Sequence, residues 1–294
     1  MQGRSTLTPA GQPAYYRVVA VDAAGDESLA EDGDASFVLA PRRLEGGGMG
    51  LVLPVVVIVL AGLLGFGSLA AFGAYCFAGS RSVVSLGLTD TWALVFDAAL
   101  CLVFFTQHSV MIRRSFRGSL ARAIAEAYHG AVYAMSSGVV LFLVLLLWQG
   151  TAEPLVSVDG PWRWFMRLTF AAALAGFGWG AMALRTFDPL GAGAVLGRAR
   201  ERPPQQRMPL AVRGPYRYVR HPMYLFFLVI IWSSPVITAD RLLFNVLWSI
   251  WILVGTLLEE RDLLADFGPT YLRYRQDAPM IIPWRLINPS RSDA

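Results

Sequence analysis

The sequence predicts an all-α membrane protein, a bundle of about six transmembrane helices (five to six) without a Rossmann domain. Three observations lead to this fold class. The 294 residues are 55% hydrophobic and have a mean hydropathy of +0.48, which is too apolar for an ordinary soluble domain. Long apolar runs recur along the chain, and arginine residues collect in alternate connections between them. No strand leads through a glycine-rich loop into a helix, so a dinucleotide-binding fold is not expected.

The N-terminal segment, residues 1–48, differs from the rest because it is polar and acidic in its middle. Residues 15–28 alternate like a strand that ends in a turn, and residues 36–40 predict a second strand. The pattern resembles the end of a fibronectin type III domain, but two strands cannot close a sandwich. We therefore expect residues 1–48 to be a dispensable extension, and residues 49–294 to form the membrane domain.

Six apolar segments follow this extension. The first four are long enough to cross ~30 Å of hydrocarbon, which takes about 20 residues. The last two are joined by a short turn, so they predict an antiparallel hairpin. The fifth is short and interrupted by Pro235, which indicates that it crosses only part of the bilayer. The predicted helices cover residues 50–78, 90–111, 130–149, 163–184, 222–238 and 240–259.

The basic residues indicate how these helices are oriented. All 25 are arginine, and the formal net charge is +4. They cluster between apolar runs, as in the loops of membrane proteins, so nucleic acid is not an expected partner. Arginines crowd the connections after the second and fourth helices, whereas residues 79–89, 150–162 and 233–240 contain only Arg81. The positive-inside rule then predicts that both termini lie in the cytoplasm, and we expect the membrane to be a bacterial inner membrane.

The cysteine and histidine residues do not predict a metal site. Cys76 and Cys101 lie inside apolar runs, where they are expected to pack as small hydrophobic side chains. His108, His129 and His221 are scattered without the spacing of metal ligands, so no metal is expected.

Residues able to carry chemistry gather beside the fifth and sixth predicted helices. Residues 214–224 read Gly-Pro-Tyr-Arg-Tyr-Val-Arg-His-Pro-Met-Tyr, and Glu259 and Glu260 end the sixth helix. In an antiparallel hairpin the two carboxylates face these arginine, histidine and tyrosine side chains. Such a pocket suits a ligand with a carboxylate, an ammonium group and an aromatic ring. The alternative is a belt of interfacial anchors and ion pairs, and composition alone leaves both interpretations open.

The order of these motifs resembles the C-terminal half of the isoprenylcysteine carboxyl methyltransferase superfamily, which includes membrane phospholipid N-methyltransferases. The resemblance covers residues 208–283. It implies an S-adenosyl-L-methionine site without a Rossmann domain, in which the backbone of residues 208–211 contacts the cofactor and Glu259 meets its ammonium group or ribose hydroxyls. The implied cofactor-binding residues are Leu210, Ala211, Tyr216, His221, Pro222, Met223, Tyr224 and Glu259.

A second resemblance, to the bacterial methanethiol S-methyltransferases, covers the N-terminal half and the closing Glu-Glu-Arg-Asp-Leu. It implies S-methylation of a small apolar thiol, methanethiol to dimethyl sulfide, in contact with membrane lipids. The candidate bases for the thiol proton are Glu260, His108 and His221. The matching blocks are residues 104–116, 133–137, 147–149, 186–191 and 259–263.

The sequence leaves two alternative functions open beside thiol methylation. The first is the same cofactor with a lipid-like acceptor, either a prenylcysteine-type carboxylate or a phospholipid amine. The prenylcysteine enzymes have an arginine for the substrate carboxylate four residues before the glutamate, where this chain has Gly255, which favours a neutral or small nucleophile. The second is a non-catalytic membrane protein of nitric oxide metabolism, which would not need the Arg-His-Pro-x-Tyr and Glu-Glu motifs together.

Overall fold

The structure, a computed structural model, describes residues 16–21, 36–41, 49–184, 188–200 and 210–284. The chain divides into two units, Met1–Gly50 and Leu51–Ala294. The first unit contains an antiparallel pair of strands, β1 (Tyr16–Val21) and β2 (Ser36–Pro41), with Val19 opposite Val38. These strands lie where the alternation of side chains predicts them, and the dispensability of residues 1–48 stays a prediction.

Where the structure describes it, the second unit is helical apart from one short pair of strands, which confirms the predicted fold class. Six longer helices follow the six predicted segments, and shorter helices connect them or follow the last. Among the described residues the elements are α1 (Met49–Ala78), α2 (Asp90–Ile112), α3 (Arg114–Leu120), α4 (His129–Leu147), β3 (Pro154–Ser157), α5 (Gly160–Ala183), α6 (Ala192–Ala199), α7 (Pro222–Trp232), β4 (Val236–Thr238), α8 (Ala239–Phe267) and α9 (Pro269–Asp277).

Four of the described helices, α1, α2, α4 and α8, are long and apolar enough to cross a membrane. Helix α5 has 24 residues but carries Arg163 and Arg167 near its start. Helix α7 has 11 residues, which at ~1.5 Å per residue reach only about halfway across the hydrocarbon. The short reach of the fifth helix was predicted, and the chain is an integral membrane protein.

The predicted end of the fifth helix at residue 238 is wrong. Helix α7 ends at Trp232 because Pro235 has no N–H to donate and disfavours helical backbone in the residue before it. The next residues form β4, which pairs antiparallel with β3. The sixth helix is longer than predicted and runs to Phe267, where Gly268 adopts φ +51°. A backbone with positive φ is easy for glycine, so the chain turns there into α9.

An aromatic core joins the helices of the bundle. Helix α2 packs between α4 and α8. The rings of Phe105 and Trp251 stack at 4.7 Å, and those of Phe104 and Trp248 stack at 5.2 Å. Helix α5 packs closely along α7, because Gly176 leaves room for Phe226, whose ring would lie 2.4 Å from any Cβ at that position. Small residues at a contact between membrane helices let the two backbones approach closely.

One end of the bundle is closed by buried charges. Arg241, only 1% exposed, donates to the carbonyls of Tyr75 and Cys76 at the end of α1 and of Ile231 near the end of α7. Asp240 accepts a hydrogen bond from the Trp148 indole at 2.9 Å. The Arg241 guanidinium thus supplies donors to the carbonyls of Cys76 and Ile231 near two helix ends, while the Tyr75 carbonyl also accepts the N–H of Gly79. The cysteines are buried and free, as the sequence predicted.

Candidate functional site

The opposite end of the bundle brings the predicted motifs together. Helix α7 begins there, α8 ends there, and α9 folds back against α8 and against the 214–221 segment that precedes α7. The backbone N–H groups of Arg220 and His221 donate to the carbonyls of Pro279 and Met280, at 2.9 and 3.0 Å. Segments that lie about 60 residues apart therefore form one wall, and the two glutamates face the arginine, histidine and tyrosine residues as the hairpin predicted.

Glu260 lies at the centre of a buried hydrogen-bond network. Its side chain is 8% exposed and accepts two hydrogen bonds from the Arg220 guanidinium, at 2.8 and 3.1 Å. His221 lies 2.8 Å away, and the Tyr271 hydroxyl donates at 2.6 Å. Arg275 also pairs with it at 3.3 Å. Because both carboxylate oxygens are engaged, Glu260 fixes α9 and the 214–221 segment onto α8.

Glu259 points to a different side of α8 and is more accessible. Its side chain is 44% exposed, and its Oε2 accepts a hydrogen bond from the Tyr224 hydroxyl at 2.6 Å. His221 Nδ1 lies 3.8 Å from the same oxygen, and the rings of His221 and Tyr224 stack at 5.5 Å. The other oxygen, Oε1, accepts no hydrogen bond within the described part of the chain. Glu259 is therefore the carboxylate that a ligand can reach.

Three tyrosines outside the membrane helices keep their protons. Burial raises the pKa of the Tyr216 hydroxyl, and the charge of Glu259 raises it further. Burial also raises the pKa of Tyr274, and the pKa of Tyr271 is raised by burial and then by its hydrogen bond to Glu260. A neutral hydroxyl donates one hydrogen bond, so these side chains offer donors to carboxylate or carbonyl oxygens at neutral pH.

A cavity of about 320 Å³ lies beside α9. Its wall includes Leu210, Val212 and Tyr274, and the Tyr274 hydroxyl donates to the carbonyl of Tyr216. The segment that carries Tyr216 therefore lies beside the cavity. The volume is at the lower end of the roughly 300–1,000 Å³ typical of ligand sites.

The remaining predicted residues have clear positions. Ala211 follows Leu210 and is half-buried, and Pro222 begins α7 and is buried. Met223 packs against α5 beside Gly180, where a Cβ would lie 3.0 Å from the methionine Cγ. Residues 208 and 209 of the predicted cofactor wall lie outside the described residues, as do 186 and 187 of the N-terminal motifs. Asp188 of that motif accepts the N–H groups of α6, at Ala192 and Gly193.

His108, the other candidate base, lies on α2 between aromatic rings. Its ring is 5.3 Å from Phe104 and 5.0 Å from Trp251. The Tyr133 hydroxyl of α4 lies 2.6 Å from its Nε2. The partnership of His108 with Tyr133 was not predicted, although both residues lie in blocks that the second resemblance had identified. The contact between His108 and Tyr133 depends on how α2 packs against α4, and this packing cannot be read from the sequence.

Comparisons with known proteins agree with this arrangement. The family model described as Phospholipid methyltransferase matches residues 166–268, which include α7 and the two glutamates. The chain is 37% identical over 206 residues to the methanethiol S-methyltransferase of Pseudomonas sp. (strain GM41(2012)), covering 68% of this chain and 76% of the relative. The relative from Pseudomonas deceptionensis, also named methanethiol S-methyltransferase, is 33% identical, with coverage of 73% and 83%. No solved structure matches the chain.

Fold and site together define a helical integral membrane protein of the methyltransferase class. The resemblance of the C-terminal half is confirmed by the family model. The chain belongs to the methanethiol S-methyltransferase family, because relatives of that name are more than 30% identical and the match covers over two thirds of their length.

Proposed function

We propose that this protein is an S-adenosyl-L-methionine-dependent methyltransferase that converts methanethiol to dimethyl sulfide. The observation that supports this most directly is the half-exposed Glu259 carboxylate, which has one oxygen free among the described residues and is bordered by Tyr224 and His221. Relatives that are named for methanethiol match 68% and 73% of this chain.

The residues at this end of the bundle fit the cofactor. Its ammonium group requires an anionic acceptor, which Glu259 offers, and its adenosine requires apolar and aromatic walls such as Leu210 and Tyr274 supply. The family resemblance assigns five further residues to the same site: Ala211, Tyr216, His221, Pro222 and Met223. When bound, the cofactor supplies an electrophilic methyl group on a positively charged sulfur.

The acceptor side favours a small neutral molecule. Gly255 lies four residues before Glu259, one helical turn away, and no neighbouring heavy atom lies within 4 Å of a Cβ built there. A prenylcysteine carboxylate would therefore find no cation at this position. A phospholipid amine is the acceptor that the description of the matching family model favours instead, so it is tested beside the thiol.

The bundle favours methyl transfer to a thiolate in two ways. Attack of an anion on a cationic sulfonium removes charge, and a low-dielectric surrounding such as the aromatic core favours that loss of charge. Positioning of the two reactants lowers the barrier further. The geometry favours His108 over Glu260 as the base, because the oxygens of Glu260 already accept hydrogen bonds from Arg220, His221 and Tyr271.

The decisive experiment supplies membranes containing the full-length protein with labelled S-adenosyl-L-methionine and, in turn, methanethiol, a prenylcysteine and phosphatidylethanolamine. We expect label in dimethyl sulfide alone. Label in the lipid or the prenylcysteine, with none in dimethyl sulfide, would replace the proposed acceptor.

The cofactor site is tested by Glu259→Gln, with calorimetry on purified protein. A hydrogen bond to a charged group contributes about 1.5–3 kcal/mol, so we expect the Kd for S-adenosyl-L-methionine to rise about 10- to 150-fold. Glu153→Gln is the matched control because Glu153 is exposed at the opposite end of the bundle, and its Kd should not change. An unchanged Kd in Glu259→Gln would remove Glu259 from the site.

A further inference from the structure

A polar patch joins α2 to α4 within otherwise apolar helices. On α2, Gln107 donates to Ser137 of α4 at 3.3 Å, and His108 meets Tyr133 of α4 at 2.6 Å. Tyr133 and Ser137 are four residues apart, so they share one face of α4. Polar side chains inside a membrane segment are costly and often mark a functional site.

Gln107 also has an acceptor that no described residue uses. Its carboxamide nitrogen donates to Ser137, but its Oε1 is buried without a hydrogen-bond partner in the described part of the chain. A buried acceptor left unpaired costs free energy. Residue Gln107 itself, together with Leu102, Val103 and Thr106, lines a surface cavity of about 430 Å³. An apolar ligand with one weak donor, such as a thiol S–H, suits these surroundings.

The patch adjoins the proposed cofactor site. The ring of His108 lies 5.0 Å from the ring of Trp251 on α8, the helix that carries Glu259 about two turns further on, and Tyr224 donates to Glu259. The patch and the proposed cofactor site therefore share helix α8.

We infer that Tyr133 and His108 form a proton relay that deprotonates the acceptor thiol, which binds between α2 and α4 beside Gln107. This inference rests on the proposed function. Tyr133 contacts the thiol and is the catalytic residue, and His108 receives the proton through it.

The step balances as follows. The thiol S–H bond breaks and its proton goes to the Tyr133 oxygen, while the Tyr133 proton passes to Nε2 of His108 over the 2.6 Å contact. The electron pair left on the thiol sulfur forms the new carbon–sulfur bond. The bond between the methyl carbon and the donor sulfur breaks, and its electron pair stays on the donor sulfur. The imidazolium returns its proton to solvent after the products leave.

A relay explains why both residues are present in an apolar wall. A neutral imidazole accepts one proton, and the tyrosine hydroxyl can accept from the thiol while it donates to the ring. A proton acceptor of this kind contributes about 10²- to 10⁴-fold to a rate. Packing of the ring against Phe104 and Trp251 holds His108 in place to receive the proton.

The test compares Tyr133→Phe and His108→Gln with the double variant, in methanethiol methylation by full-length protein. We expect each single variant to lower kcat by about 10²-fold or more with KM little changed. The double variant should be no slower than the slower single variant, because residues of one relay act as a unit. Tyr128→Phe is the matched control: it lies at the start of α4, packs in a different cluster, and should keep full activity.

The pH profile separates the relay from a structural effect. A thiol ionises on its own at high pH, so the defect of Tyr133→Phe should shrink as the pH rises through the thiol pKa, which is ~8.5 for a cysteine side chain. Titratable or charged groups that face Tyr133 include His108, Arg117 of α3 and Tyr224 of α7. Mass spectrometry of the methylated thiol in both variants and wild type gives the rates.

The outcomes are distinct. Wild-type activity in Tyr133→Phe, a defect of constant size at every pH, or multiplied defects in the double variant would each overturn the relay. Calorimetry with S-adenosyl-L-methionine shows whether the Tyr133→Phe protein is folded. If that protein does not bind the cofactor, His108→Gln takes its place in the pH series. If the wild-type protein does not methylate methanethiol, the proposed function is wrong, and the relay is not what has failed.

Discussion

At the scale of single residues, the two adjacent glutamates show how one helix serves two purposes. Successive residues of an α-helix point about 100° apart, so Glu259 faces the accessible side of α8 while Glu260 faces α9. Glu260 is surrounded by Arg220, His221 and Tyr271. Glu259 has Tyr224 as its hydrogen-bond donor and keeps an oxygen free among the described residues. One carboxylate holds the structure together, and the other is available to a ligand.

We predict that Glu260→Ala destabilises the protein strongly. Removing one partner of a buried ion pair leaves the other charge uncompensated, which costs about 3–5 kcal/mol, and Arg220 is buried with a side chain 9% exposed. Thermal unfolding of purified protein should show a large fall in Tm. The matched control is Arg114→Gln, which breaks the solvent-exposed pair of Arg114 with Asp266 and should leave Tm almost unchanged. Equal Tm values for the two variants would contradict the role given to Glu260.

The residue types of this site could be predicted from the sequence, but their division of labour could not. The sequence motifs identified Glu259, Glu260, His221 and Tyr224 as candidate site residues. The predicted antiparallel hairpin put the two glutamates opposite the other two residues. The rotation of α8 about its axis and the position of α9 decide which of the two glutamates has all its oxygens engaged in hydrogen bonds. That rotation is set by packing between helices. The sequence alone therefore does not distinguish the roles of two adjacent glutamates.

At the scale of the elements, the two buried charges at the start of α8 hold three helices together. Arg241 donates to carbonyls at the ends of α1 and α7, and its guanidinium lies 5.2 Å from the centre of the Tyr75 ring. The last carbonyls of a helix need partners outside the helix, and no water supplies them within a bilayer core. A buried arginine therefore acts here as a shared cap for two helices.

We predict that Arg241→Met destabilises the bundle by about 3 kcal/mol or more, because carbonyls buried without a partner cost about 1–3 kcal/mol each. Methionine fills much of the space but donates no hydrogen bond. Chemical unfolding followed by tryptophan fluorescence measures the change. The matched control is Arg81→Met in an exposed connection, which should unfold as the wild type does. A stable Arg241→Met protein would show that the caps contribute little.

Long elements could be predicted from hydropathy and short ones could not. Each of the six apolar segments contains a helix, because a run of about 20 apolar residues is a strong signal. Helices α3, α6 and α9 and the strands β3 and β4 were not predicted. Strands of three or four residues, such as Val236–Thr238, are too short to show an alternation, and they form because β3 and β4 meet at the closed end of the bundle.

At the scale of the whole molecule, the two ends of the helix bundle have different roles: one is closed by buried contacts, and the other carries the candidate site. One end is closed by Asp240, Arg241 and the β3–β4 pair, and the other carries the glutamates, the cavity and α9. The arginine-rich connections lie on the same side as the site, since they follow the ends of α2 and α5 and precede α7. We infer from the positive-inside rule that the site faces the cytoplasm.

We predict that cysteine labelling will show this orientation. The chain has two cysteines, and both are buried, so a single added cysteine reports its own position. Val83, in the connection between α1 and α2 at the closed end, is 70% exposed, and Ser119 lies exposed in α3 at the site end. A maleimide that cannot cross membranes should label Val83→Cys in intact cells and Ser119→Cys only after permeabilisation. The physical reason is that short loops rich in arginine remain on the cytoplasmic side during insertion. The reverse labelling pattern would place the glutamates and the cavity outside the cytoplasm, and a single pattern for both variants would mean that α2 does not cross the membrane.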